Sequence, residues 1–205
     1  MGEPLLSVEG LRKRYTRGLV RREVTFSLAA DFTVGEPAIV GVMGPNGSGK
    51  TTLFELITGS NLPSAGRVRI AGRDVHRVRY RERDRLAIHY HQSYQVRAFK
   101  RTVPSFLLEP ALSDYPLVHL FDEPQFNVQD GYIGFMLDFF RRLRRERRLV
   151  FLCLHPTEGF HLDILRETCE RFVFVNRGQL ALAADWDELL RQEGVRSYLG
   201  ALAPG

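Results

Sequence analysis

Apolar positions along the chain fall into short bursts separated by glycine, proline and charge, and the period of those bursts changes part-way. In the first forty residues, "LLSVEG", "LRKRY" and "VTFSLAA" carry β-branched and aromatic residues between turn formers, a pattern that predicts short strands. "PAIVGVM" is apolar without alternation, as expected of a strand buried on both faces. It runs into "GPNGSGKTT" and then into "LFELITGS", a helical pattern closed by Gly59. "GRVRIAG", "RLAIHYHQ" and "PLVHLFDEP" read as further strands. A helix across "GFMLDFFRRLRRE", a strand "LVFLCLH", a helix around "GFHLDILRETCERF", a strand "VFVNRG" and a helical segment near "DWDELLRQEG" complete the pattern. Strands alternating with helices predict an α/β fold whose mostly parallel sheet is flanked by helices, with an antiparallel β portion at the N-terminus. No repeat, low-complexity tract or linker interrupts the 205 residues, so one unit over 1–205 is expected.

Composition narrows the class. Hydrophobic residues at 44% and charged residues at 26% are ordinary for a soluble globular protein. No apolar run reaches the roughly 18 residues of a membrane-spanning helix. "MGEPLLSVEG" lacks the basic-then-apolar order of a secretory signal, and Leu6 stands where a myristoylation signal needs Ser or Thr. Any membrane role is therefore expected to come through a partner. Cys153 and Cys169 are far apart in apolar stretches and read as reduced, buried thiols of a cytoplasmic protein. The net charge of +5 is carried almost entirely by arginine; only Lys13, Lys50 and Lys100 are lysines. The densest run, Arg141 to Arg148, could meet phospholipid, nucleic acid or an acidic partner, or could be the solvated end of a surface helix, where cations favour the last turn.

The strongest chemistry is in Gly44-Pro45-Asn46-Gly47-Ser48-Gly49-Lys50-Thr51, a complete G-x-x-x-x-G-K-[ST] motif between a predicted strand and a predicted helix. Its glycines let backbone N–H groups curl around phosphate oxygens, and the helix that follows points its positive end at the same anion. Lys50 would reach the β- and γ-phosphates of a nucleotide and Thr51 would offer its hydroxyl to Mg²⁺. Asp122 ends a second apolar strand, where a carboxylate can hold the Mg²⁺ shell. Glu123 follows, placed to act as general base toward water. His155 ends "LVFLCLH", where an imidazole could hydrogen-bond the terminal phosphate. His89 and His91 are two apart on a predicted strand and face one side, but no third ligand at credible spacing makes them a metal site.

These motifs, in this order, resemble the ATP-binding cassette (ABC) ATPases over nearly the whole chain. The resemblance implies the fold of a P-loop NTPase of ABC type, with ATP and Mg²⁺ as cofactors. "LLSVEGLRKRY" looks like the family's opening strand, which implies that Tyr15 stacks on adenine. "GPNGSGKTTLFELITG", with Thr52 beside Thr51, is similar to the phosphate loop and its helix. Gln92 in "YHQSYQ" falls at the glutamine that senses the γ-phosphate and Mg²⁺, "LFDEP" at the metal-binding strand and catalytic glutamate, and His155 at the switch histidine. "ERFVFVNRGQLALAADWDELL" resembles the family's C-terminal close.

Two departures stand out. The family inserts a helical lobe between its glutamine loop and "DEP", ending in a signature close to L-S-G-G-Q. Here about thirty residues separate Gln92 from Asp122, and no such signature occurs. The helical subdomain is therefore expected to be largely missing, reduced to a segment at about 93–116. In "DEPQFNVQD", Gln129 stands where the family has an aspartate, and Asp130 comes one residue late.

Members of the family pair head to tail, each ATP lying between one chain's phosphate loop and the other's signature. Loss of one preorganised donor to a charged transition state costs on the order of 10²–10³ in rate. A homodimer of this chain is thus expected to bind ATP with very slow turnover, whereas pairing with an intact cassette completes one site. The favoured expectation is an ATP-binding, ATP-hydrolysing subunit of an ABC transporter, working with a second, signature-bearing ABC subunit and a transmembrane permease. The alternatives are a soluble ABC-type ATPase in assembly or nucleic-acid processing, marked by salt-sensitive binding to DNA or RNA, and a non-hydrolysing ATP-binding structural subunit, marked by indifference to Glu123→Gln. Nucleic acid is not the expected partner.

Overall fold

The computed structural model describes residues 3–18, 23–90, 116–124 and 132–203. Gln92, His91, Gln129, Asp130 and nearly all of the segment read as a reduced helical lobe lie outside these residues.

The described chain forms two sheets with helices around them. Strands β1 (Leu6–Arg17), β2 (Glu23–Val34), β4 (Ala65–Ile70) and β5 (Arg73–Asp74) build an antiparallel sheet in the order β2-β1-β4-β5. The second sheet has the order β10-β9-β3-β8-β7-β6. Its strands are β3 (Ile39–Met43), β6 (Ala87–Tyr90), β7 (Val118–Asp122), β8 (Leu149–Cys153), β9 (Arg171–Asn176) and β10 (Gln179–Ala183). All its pairs are parallel except the β9–β10 hairpin. The helices are α1 (Lys50–Thr58), α2 (Tyr80–Leu86), α3 (Tyr132–Arg145), α4 (Gly159–Thr168), α5 (Trp186–Arg191) and α6 (Val195–Leu199).

The apolar runs at β3, β7 and β8 exist because these strands are covered on both faces, and every residue in them is buried. Val40, Val42, Leu120 and Phe151 face a core shared with α1 and the antiparallel sheet; Ile39, Met43, Phe121 and Leu152 face a second core beneath α3, α4 and α6. Gly41 has no side chain because a Cβ there would lie 2.8 Å from the Phe172 ring.

Several boundaries differ from the sequence pattern. "LLSVEG" and "LRKRY" form one strand rather than two, with a shift in register at Gly10, where φ is 51°. In "RLAIHYHQ" the strand begins only at Ala87, because Leu86 closes α2 and its side chain enters the core. Helix α4 stops at Thr168, short of "CERF", because Arg171 pairs with Val40 in the sheet.

The arginine run lies at the end of α3 and just beyond it. Arg141 pairs with Asp138 at 3.2 Å, Arg142 with Glu146 at 3.6 Å and Arg144 with Glu170 at 2.7 Å, while Arg148 is buried. Three of the cations in the run are thus tied to neighbouring carboxylates. Cys153 and Cys169 are both free and buried. Among the described residues no helix is long and apolar enough to cross a membrane.

Candidate functional site

The site gathers at the C-terminal ends of β3, β8 and β7, the usual crevice of an open α/β sheet. The loop after β3 leads into α1 through Gly49, whose φ of 112° forms the helix cap. A Cβ at Gly44 would sit 1.9 Å from the Val175 carbonyl oxygen, and one at Gly49 would sit 2.8 Å from the Phe26 ring. Only glycine lets the loop lie this close to the sheet. The loop is also held from the β9–β10 hairpin, whose Asn176-Arg177-Gly178-Gln179 turn has φ of 47° and 74° at its centre, the signs of a type I′ turn. Gly178 N–H donates to the Ser48 carbonyl at 2.9 Å, and Ala29 N–H donates to the Gly178 carbonyl at 2.8 Å.

Lys50 is buried, and its ammonium donates to the carbonyls of Gly44 at 2.8 Å and Pro45 at 3.0 Å. Ser48 Oγ is buried and has no protein partner among the described residues. The N–H groups of the first turn of α1 have no acceptor within the helix. Asn46 and Gly47 are exposed at the rim, and Thr51 and Thr52 begin the helix wall.

Asp122, at the end of β7, accepts a hydrogen bond from Thr51 Oγ1 at 2.9 Å, and His89 Nε2 lies 3.3 Å from the same carboxylate oxygen. Burial by itself raises the Asp122 pKa. Hydrogen bonds from His89 and Thr51 outweigh burial and hold the carboxyl below its ordinary value, so it is ionised at neutral pH. The buried Cys153 thiol is pushed up, first by burial and then by the Asp122 charge, and is protonated. Glu123 stands next to Asp122 with φ 50°, its N–H donating to the Cys153 carbonyl at 3.0 Å. His155 lies just beyond β8, half-buried, with Nδ1 2.9 Å from the Tyr198 hydroxyl.

A cleft of about 420 Å³ runs over the loop, lined by Tyr15, Phe26, Asn46, Lys50, Thr51 and Glu123 among others. Tyr15 is tilted against Phe26 at 6.2 Å, and its hydroxyl accepts from Asn61 at 2.7 Å. The structure thus brings Tyr15, the loop from Gly44 to Thr52, Asp122 and Glu123 together. His155 sits nearby at the end of the strand between β3 and β7. Gln92 is outside the described residues.

The donor set fits a nucleotide phosphate and a hard cation. Glycine backbone, an orphaned hydroxyl and an ammonium suit an anion. A hydroxyl and one carboxylate suit Mg²⁺, which fills its remaining positions with water and phosphate oxygens. Among the described residues no group of three or more His, Cys, Asp and Glu could hold a metal, so phosphate oxygens would be needed there. The sequence reading missed His89 as a partner of Asp122, and it missed Tyr198. No local signal pairs His89 with Asp122, because the contact depends on β6 lying beside β7, and nothing local marks Tyr198.

Comparison with known proteins places this geometry. Residues 29–105 match the ABC transporter family. The Nod factor export ATP-binding protein I of Ralstonia nicotianae is 38% identical over 85 residues, 42% of this chain and 25% of that protein. The lipoprotein-releasing system ATP-binding protein LolD of a Ruegeria species is 38% identical over 86 residues, 42% of this chain and 37% of that protein. The matched stretch is thus well under two thirds of the length of either relative. The ADP conformation of an ATP-binding cassette of an ABC transporter superposes with a TM-score of 0.69 at 17% identity, covering 97% of this chain and 99% of that one.

Proposed function

This chain has the nucleotide-binding cassette fold of the ABC ATPases, and from that premise we propose that it is an ATP-binding, ATP-hydrolysing subunit of an ABC transport complex. Its working site is completed by a partner cassette that supplies the signature, and a transmembrane permease holds it at the cytoplasmic face of a membrane. The observation that carries the reading is the Thr51–Asp122 hydrogen bond at 2.9 Å beside a phosphate loop with a buried lysine. It joins the two halves of a Mg²⁺-nucleotide site across three strands.

Bound Mg-ATP would supply the phosphoanhydride bond to be cleaved. Lys50 exchanges its loop carbonyls for phosphate oxygens. Thr51 and Asp122 would hold Mg²⁺, which would supply charge neutralisation at the phosphates, and Tyr15 would pack against the base. Glu123, at the mouth of the same cleft, accepts the proton of the attacking water. His155 donates to the terminal phosphate. Gln92 keeps the sensing role that its resemblance implies. The L-S-G-G-Q signature is missing from the sequence, which supports pairing with an intact cassette over a symmetric homodimer.

The test is equilibrium binding of Mg-ATP to the purified chain and to Lys50→Ala. The wild-type chain should bind and the variant should lose at least about tenfold in affinity, the scale of one lost charge-assisted hydrogen bond or more. Equal affinities would defeat the assignment of the site.

A further inference from the structure

Helix α6 lies outside the phosphate loop and the metal-binding strand, yet it reaches the site. Gly194 caps it with φ 85°, and Tyr198, its fourth residue, turns back over the strand ends. The Tyr198 ring rests against Phe174 at 5.8 Å between centroids and against His155 at 5.9 Å. Its hydroxyl lies 2.9 Å from His155 Nδ1. Burial pushes the phenol up to about 12, so it keeps its proton at neutral pH.

The Tyr198 hydroxyl makes no other side-chain hydrogen bond among the described residues, so its proton pairs with His155 Nδ1, which then accepts. A neutral imidazole that accepts at Nδ1 carries its proton at Nε2.

We infer that Tyr198 is a positioning residue for His155. It holds the imidazole in the Nε2–H tautomer, ready to donate to a terminal phosphate oxygen. The inference rests on the nucleotide reading of the cleft. It adds that helix α6 sets the state of the histidine, through the hydrogen bond from Tyr198 O–H to His155 Nδ1.

The test has two readouts on the full chain. The first is the long-range ¹H–¹⁵N spectrum of the imidazoles without nucleotide at alkaline pH, for wild type and Tyr198→Phe, with His155→Ala identifying the signals. Wild type should show His155 with a bare Nδ1 and a protonated Nε2, and Tyr198→Phe should show mixed tautomers. The second is the ratio of affinities for a non-hydrolysable ATP analogue and for ADP. Tyr198→Phe should lower that ratio about two- to tenfold, the range of one neutral hydrogen bond, with ADP binding unchanged. Identical nitrogen signals in the two chains overturn the proposal. Altered nitrogens with an unchanged ratio overturn the link to the phosphate. If the wild-type chain binds neither nucleotide, the reading of the cleft fails, and the nucleotide-free spectra show separately whether the Tyr198–His155 hydrogen bond exists.

Discussion

Glu123 occupies left-handed backbone, φ 50°, at the point where β7 ends and the cleft begins. A residue with a side chain pays about 1–2 kcal/mol there, and such strain collects where a group must be aimed. Glu123→Gly should therefore be more stable than Glu123→Ala by about 0.5–1 kcal/mol, the relief partly offset by glycine's freedom in the unfolded chain. Chemical denaturation of the two variants decides it; an alanine variant at least as stable would show that the backbone relaxes at no cost. At this scale the strand–loop–helix geometry of Gly44–Thr51 was legible, because one contiguous stretch carries its turn chemistry. The place of Asp122 at a strand end was legible for the same reason. The pairing of His89 with Asp122 was not, since it depends on which two strands lie side by side. Tyr198 was hidden further, in a five-residue helix with little periodicity to announce it.

Strand β7 also shows how an element imposes chemistry on a residue with no catalytic part. His119 is 3% exposed, stacked in parallel with Tyr90 and Phe121 at 6.0 and 6.4 Å. It meets the Tyr90 hydroxyl at 3.1 Å and the Pro116 carbonyl at 3.2 Å. Burial depresses its pKa to about 3. The unfolded chain, with an ordinary value of about 6.5, takes up the proton first. The contribution of neutral His119 to stability is thus complete above about pH 6.5 and is lost as pH falls toward 3, by up to about 1.4 kcal/mol per pH unit. His119→Phe should be less stable at neutral pH, because Tyr90 and Pro116 lose their partner, but its stability should fall less steeply between pH 6.5 and 4. Parallel slopes in denaturant titrations would refute this. Among elements, the buried strands were read correctly because runs such as "VHLFD" and "LVFLC" are too short for a helix and suit a doubly covered strand. Helix α2 was missed because "YRERDRL" presents only Leu86 to the core, too little for a helical period to appear.

For the whole molecule, the alternation of strand and helix foretold a mostly parallel sheet with an antiparallel partner, and both are present. The strand order was beyond the pattern. It places β8 between β3 and β7 and so sets His155 between the phosphate loop and Asp122. The same scale carries the functional proposal: a cassette fold with a G-x-x-x-x-G-K-[ST] loop and the Asp122-Glu123 pair, but no L-S-G-G-Q signature in its sequence, is proposed to act beside one that has it. The most direct measurement is to tag the Glu123→Gln chain in its native cell, solubilise it gently with Mg-ATP, and identify what co-purifies by mass spectrometry. The account predicts a cassette with an intact signature together with a polytopic membrane protein, both lost when Lys50→Ala is added. Recovery of this chain alone, or with soluble proteins only, would contradict it.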